Sequence, residues 1–127
     1  MEGIGRLAYI EVDCADPVAI ARFWSQVLGV SVAGTVGDPP HYVGLGSSPA
    51  APNGPMVTFQ RVPEPKSVKN RLHLDVNVDD VESATARIEA LGGSRARYGD
   101  FSEYGYRWRV MADLEGNEFC LVFSSPG

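Results

Sequence analysis

Apolar and polar residues alternate strictly at two places in this chain. Ala8, Ile10 and Val12 interleave with Tyr9, Glu11 and Asp13, and about half a chain length later Leu72, Leu74, Val76 and Val78 interleave with His73, Asp75 and Asn77. A period of two is that of a strand with one buried face. Behind each run comes a helical stripe: Ile20, Phe23, Trp24, Val27 and Leu28 in the first copy, Val81, Ala84, Ile88 and Leu91 in the second. Asp16 is placed to cap the first helix with Pro17 at its first position, and Asp79 or Asp80 to cap the second. Gly29 and Gly92 stop them. At this spacing Phe23 and Trp24 are core residues.

Three further strand-like pieces follow each helix. In the first half they are 30–36, 41–45 and 56–62, set apart by the turn-rich segments 37–40 and 46–55. In the second they are 94–98, 106–112 and 118–123, with 113–117 as a tight hairpin in which Gly116 supplies a positive φ. Each half therefore reads as βαβββ. The fold class is α+β: two tandem modules, about 1–62 and 71–127, making one domain with a curved mixed sheet and helices on its outer face. Prolines in 63–70 discourage pairing and mark that segment as the linker.

A four-stranded sheet with a helix on one face leaves the other face open, and two such modules imply a ligand cup. Strand parity turns Tyr9, Glu11 and Asp13, then Met56, Thr58 and Gln60, then His73, Asp75 and Asn77, and finally Glu118, Cys120 and Val122 toward it. Val57, Phe59, Phe119, Leu121 and Phe123 fall on the core face. In strand seven Trp108 and Val110 oppose Arg107, Arg109 and Met111, and alternation alone leaves its facing open. His73, Glu11 and Asp75 are the candidate catalytic groups, because an imidazole beside carboxylates suits acid–base work near neutral pH. Tyr9, Asp13, Gln60, Asn77, Trp108, Glu118 and Cys120 are the candidate ligand contacts. Cys120 would be a nucleophile if His73 lowered its pKa. His41 belongs to a rim.

Charge narrows the partners. A net charge of −5 and a pI near 4.9 exclude nucleic acid or an anionic membrane surface as the main partner, since both require a cationic face. Arg107 and Arg109 read as a solvated strand face. No basic-then-apolar leader and no long apolar span is seen, which gives a cytoplasmic address by default. Cys14 and Cys120, far apart and without CxxC spacing, are free thiols in such a compartment.

The doubled βαβββ pattern, Asp13 to Pro17, Phe23-Trp24 before Leu28-Gly29, Arg71 to Val76 running into Val78 to Asp80, and Asp113 to Cys120 together resemble the glyoxalase/bleomycin-resistance/dioxygenase (vicinal oxygen chelate) superfamily, in its short glyoxalase-like subgroup. The resemblance spans nearly the whole chain. It implies metal-ligand positions at Tyr9, Gln60, His73 and Cys120, of which only His73 carries a typical ligand. His73 and Cys120 with Glu118 could hold zinc, but without the family arrangement. No metal is therefore expected, and a divalent ion is the less favoured alternative. The implied function is binding or transforming a small oxygenated or aromatic metabolite. The alternatives are a metal-dependent lyase, isomerase or dioxygenase, and a drug-sequestering resistance protein that pairs Tyr9, Tyr42, Tyr104, Tyr106 and Trp108 with Glu11, Asp13 and Glu118 around a cationic ligand. A homodimer is implied as well, with each cup built across two chains.

Overall fold

The order of elements follows the duplicated pattern. A computed structural model describes residues 1–49 and 51–124 and shows β1 (Tyr9–Cys14), α1 (Pro17–Leu28), β2 (Val32–Val36), β3 (Tyr42–Leu45) and β4 (Met56–Arg61), then β5 (Asp75–Asn77), α2 (Val81–Ala90), β6 (Ser94–Glu103), β7 (Tyr106–Ala112) and β8 (Glu118–Phe123). Of the predicted turn-rich segment 46–55, Ala50 lies outside the described residues. The chain divides into two units, 1–65 and 66–127. Each unit forms its own four-stranded mixed sheet, ordered β1-β4-β3-β2 and β5-β8-β7-β6. In both, the first strand runs parallel to the last and the remaining pairs are antiparallel.

In the N-terminal unit, Asp16 caps α1 by accepting the Ala19 N–H, Pro17 takes the first position, and Gly29 ends the helix at φ 66°. That conformation is open to glycine at little cost. Ile20, Ala21, Phe23 and Trp24 are buried with Phe59, Val43 and Leu45 beneath them, so the aromatic pair belongs to the core as its spacing requires. Phe23 and Trp24 meet edge to face at 5.6 Å between centroids.

In the C-terminal unit, Asp80 caps α2, its Oδ1 accepting the N–H groups of Glu82 and Ser83. Phe119, Leu121, Phe123 and Met111 are buried on the helix side of the sheet, and α2 contributes Ile88 and Thr85. Three expectations need correction here. The β5 strand is short: Asn70 Oδ1 accepts the Glu118 N–H and its Nδ2 donates to the Leu72 carbonyl, so a side chain caps the start of β8 and Leu72 is left exposed. The β6 strand runs on to Glu103 past an irregularity between Arg95 and Asp100, because Tyr104 and Gly105, at φ 52° and 82°, form a two-residue turn joining it to β7.

The third correction concerns Arg109, which is buried rather than solvated. Its Nε and Nη2 donate to Asp100 Oδ1 and Oδ2 at 2.7 and 2.8 Å, a second Nη2 contact reaches Glu82 Oε1 at 2.7 Å, and Nη1 donates to Thr85 Oγ1 at 3.0 Å. The apolar stripe of α2 is too thin to fill the space above β7, and a guanidinium hydrogen-bonded through all three of its nitrogens fills it instead. This settles the facing of strand seven: Arg109 and Met111 point to the helix, Trp108 to the opposite side.

Candidate functional site

The open face of the C-terminal sheet carries a cleft of about 600 Å³ lined by His73, Asp75, Asn77, Glu103, Tyr104, Tyr106, Trp108, Cys120 and Val122. Register explains the set. Asp75 stands opposite Cys120, which stands opposite Val110; Asn77 stands opposite Val122, which stands opposite Trp108, and Trp108 opposite Phe101. Two rows of side chains thus cross the sheet on one face. One row ends in titratable groups and the other in aromatic rings. Trp108 and Phe101 stack at 5.5 Å with their planes 14° apart, and the β6–β7 turn adds Tyr104 and Tyr106 at the end of the wall.

At the β5 end, His73 Nε2 lies 3.3 Å from Asp75 Oδ1, both side chains more than half exposed. Cys120 is buried beside them. Burial, and next the nearby Asp75 carboxylate, push its thiol upward, opposite to the shift a nucleophilic cysteine needs. That direction gives the nucleophile expectation for Cys120 no support. The ligating atoms of His73, Asp75 and Cys120 all lie within 4.8 Å of one another. An imidazole, a carboxylate and a thiol are a chemically coherent set for a borderline divalent ion.

The other candidates are distributed unevenly. Asn77 and Trp108 line the cleft. Glu118 does not: its carboxylate is drawn to Lys69 Nζ at 3.3 Å, and it lines a separate recess with Lys66, Arg97 and Tyr98. Tyr9, Glu11, Asp13 and Gln60 belong to the N-terminal unit, where Asp13 stands opposite Gln60 and the first three are exposed along β1. His41 is exposed there too, edge to face with Tyr42 at 4.9 Å. Sequence reasoning missed Glu103 and Phe101, because the strand was ended at Tyr98. The signal was present in Gly105, whose place between two tyrosines marks a hairpin turn.

Residues 9–122 match the glyoxalase-like domain. No curated protein matches the chain. Among solved structures, a glyoxalase/bleomycin resistance protein/dioxygenase family enzyme from Burkholderia phytofirmans is 19% identical, with 95% of this chain and 100% of that chain covered and a TM-score of 0.68. A glyoxalase-related enzyme from Fulvimarina pelagi is 20% identical over 95% and 89%, with a TM-score of 0.71. The fosfomycin resistance protein FosX from Listeria monocytogenes, solved with Mn(II) and a dihydroxypropylphosphonic acid, is 17% identical over 94% and 92%, again with a TM-score of 0.71. At these identities the likeness is one of fold.

Proposed function

Since the chain belongs to the glyoxalase-like domain family, we propose that it binds a small aromatic or oxygenated metabolite, preferably one carrying positive charge, on the open face of its C-terminal module. The observation that carries this reading is the wall formed by Trp108 on Phe101 with Tyr104 and Tyr106, which shares one cleft with the carboxylates of Glu103, the register partner of Tyr106, and of Asp75. Flat π-faces bind rings by stacking and cations through their quadrupole, and neighbouring carboxylates add to the second term. Asn77 supplies an amide that both donates and accepts. The same reading gives His73 and Asp75 the role of an acid–base couple toward the bound molecule, and gives Tyr9, Glu11, Asp13 and Gln60 of the N-terminal module the role of further polar contacts. It includes a cytoplasmic homodimer.

The test is a fluorescence titration with a planar cationic dye such as ethidium and a neutral ring compound of the same size. Trp24 is buried in the N-terminal core, so quenching on addition of ligand reports Trp108 in the wild-type protein; Trp108→Ala removes that reporter, and its affinity is read by isothermal titration calorimetry. The cationic dye should bind more tightly than the neutral one, and Trp108→Ala should weaken it about tenfold, the loss of roughly one cation–π contact. Binding that is unchanged in Trp108→Ala, or equal for both dyes, would count against the cleft or against its charge preference respectively.

A further inference from the structure

We propose that a basic recess at the start of β8 binds a tetrahedral dianion, as the phosphate group of a small metabolite or as the free ion. The recess, of about 360 Å³, lies within the C-terminal unit, and Lys66, Ser67, Lys69, Arg97, Tyr98 and Glu118 are among its lining residues. It shares no lining residue with the aromatic cleft, so what it binds does not depend on the reading of that cleft.

Two local devices build it. On one side the linker is tied down beside β8. Asn70 Oδ1 accepts the Glu118 N–H at 3.2 Å, and the preceding residue, Lys69, places its Nζ 3.3 and 3.4 Å from the two carboxylate oxygens of Glu118. On the other side β6 leaves regular pairing. Arg95 pairs with Met111 and Asp100 with Arg109, so the stretch 96–99 has Val110 alone across from it, and Gly99 at φ 74° accommodates the extra chain. Neighbouring residues of a regular strand point to opposite faces, yet Ala96, Arg97 and Tyr98 all line this one recess. A bulge re-aims side chains in this way, and here it brings a guanidinium to the lysines of the linker.

Charge then selects the ligand. Lys66, Lys69 and Arg97 stand against the single carboxylate of Glu118, which leaves two positive charges in a chain whose net charge is −5. The Glu118 side chain is only 11% exposed and is held by Lys69, so its repulsion toward an anion is offset at its source. Two contacts with Glu118 leave the Lys69 ammonium one further N–H, and Tyr98, whose ring centroid lies 5.2 Å from Lys69 Nζ, carries a hydroxyl donor. Among the described residues Lys66 and Arg97 form no ion pair. A guanidinium fork takes two oxygens of a phosphate and ammonium groups take the others, a better match than a carboxylate with only two oxygens. A phosphomonoester carries close to two negative charges at about pH 7. The volume is at the small end of ligand sites, enough for a phosphate with a short organic part.

The experiment is calorimetric titration of the full-length protein at low salt and about pH 8, where a phosphomonoester is a full dianion, with glycerol 3-phosphate, inorganic phosphate and acetate. One equivalent of either phosphate should bind, more weakly as salt rises, and acetate should bind at least tenfold less tightly. Tighter binding of glycerol 3-phosphate identifies a phosphorylated metabolite as the ligand class, and equal binding identifies the free ion. Lys66→Gln and Arg97→Gln should each weaken phosphate binding by about fivefold, the order an exposed charge pair commands, while Arg87→Gln, an exposed cation on α2, should leave it unchanged. Acetate binding as tightly as phosphate, or Arg87→Gln weakening it as much as Arg97→Gln, would overturn the site. The comparison of anions on the wild-type protein decides the matter even if a variant fails to fold. Protein that binds the cationic dye but no phosphate would remove this site and leave the cleft standing; phosphate binding without dye binding would do the reverse.

Discussion

Arg109 is the residue whose surroundings explain most about the C-terminal module. Its hydrogen bonds to Asp100 hold that carboxyl below the usual range, with Glu82 lowered by the same guanidinium, and the two carboxylates in turn raise Arg109. A depressed carboxyl pKa contributes stability that is present above the unfolded value near 4 and is lost as pH falls through the lower, folded value. Asp100→Asn leaves the buried cation with one carboxylate partner, the exposed Glu82, so it should cost about 2 kcal/mol at pH 7, in line with charge-assisted hydrogen bonds. Arg109→Met should cost less, because it leaves no charge buried and both carboxylates can turn to water. Urea unfolding at pH 7 and at about pH 2.5 measures both, and the Asp100→Asn deficit should shrink on acidification. A deficit that does not change with pH would show that packing, not the ion pair, is at stake.

At the level of elements, most of the fold was legible because local rules agreed with one another. Both helix caps, the Gly29 stop and the alternation of β1 and β8 all follow from residue type and spacing, and the Asp113–Asn117 turn does too, with the Asp113 N–H donating to the Asn117 carbonyl. The errors lie where a long-range contact overrides a local signal. Leu72 looked like a buried strand residue until Asn70 took the β8 edge, and Arg109 looked solvated until Asp100, itself beyond the assumed end of β6, turned out to face it. The candidate site was half legible for the same reason: parity put His73, Asp75, Asn77 and Cys120 on one face of the sheet and composition singled out Tyr104, Tyr106 and Trp108, while Phe101 and Glu103 needed the unseen β6–β7 turn. Helix α2 offers a direct check on the local rules. It buries little of its own surface and relies on the Asp80 cap, so Asp80→Ala should cost about 1 kcal/mol by urea unfolding. A cost near zero would mean that the Arg109 network alone holds the helix in place.

For the molecule as a whole, duplication supplies two equivalent frames, and among the described residues the C-terminal one carries an aromatic and titratable cleft. The chain also leaves large apolar side chains in water: Leu7, Val32 and Val36 in the N-terminal unit, and Leu72 and Tyr106 in the C-terminal one, are each roughly half exposed or more. Scattered exposure of this kind is ordinary, but so many aliphatic groups on a small chain favour association with a second surface. Among candidate partners a second copy is the one every preparation contains. Against it stands the net charge of −5, which makes two copies repel over a Debye length of about 10 Å at 0.1 M salt. The two terms respond oppositely to ionic strength, since salt screens the repulsion and leaves apolar burial intact. Sedimentation equilibrium at low and moderate salt should therefore find a dimer whose dissociation constant falls as salt rises. A dimer that weakens with salt would point to an interface built on ion pairs, and a strict monomer at about 100 μM, where even a millimolar-range association begins to show, would retire the cup shared between two chains.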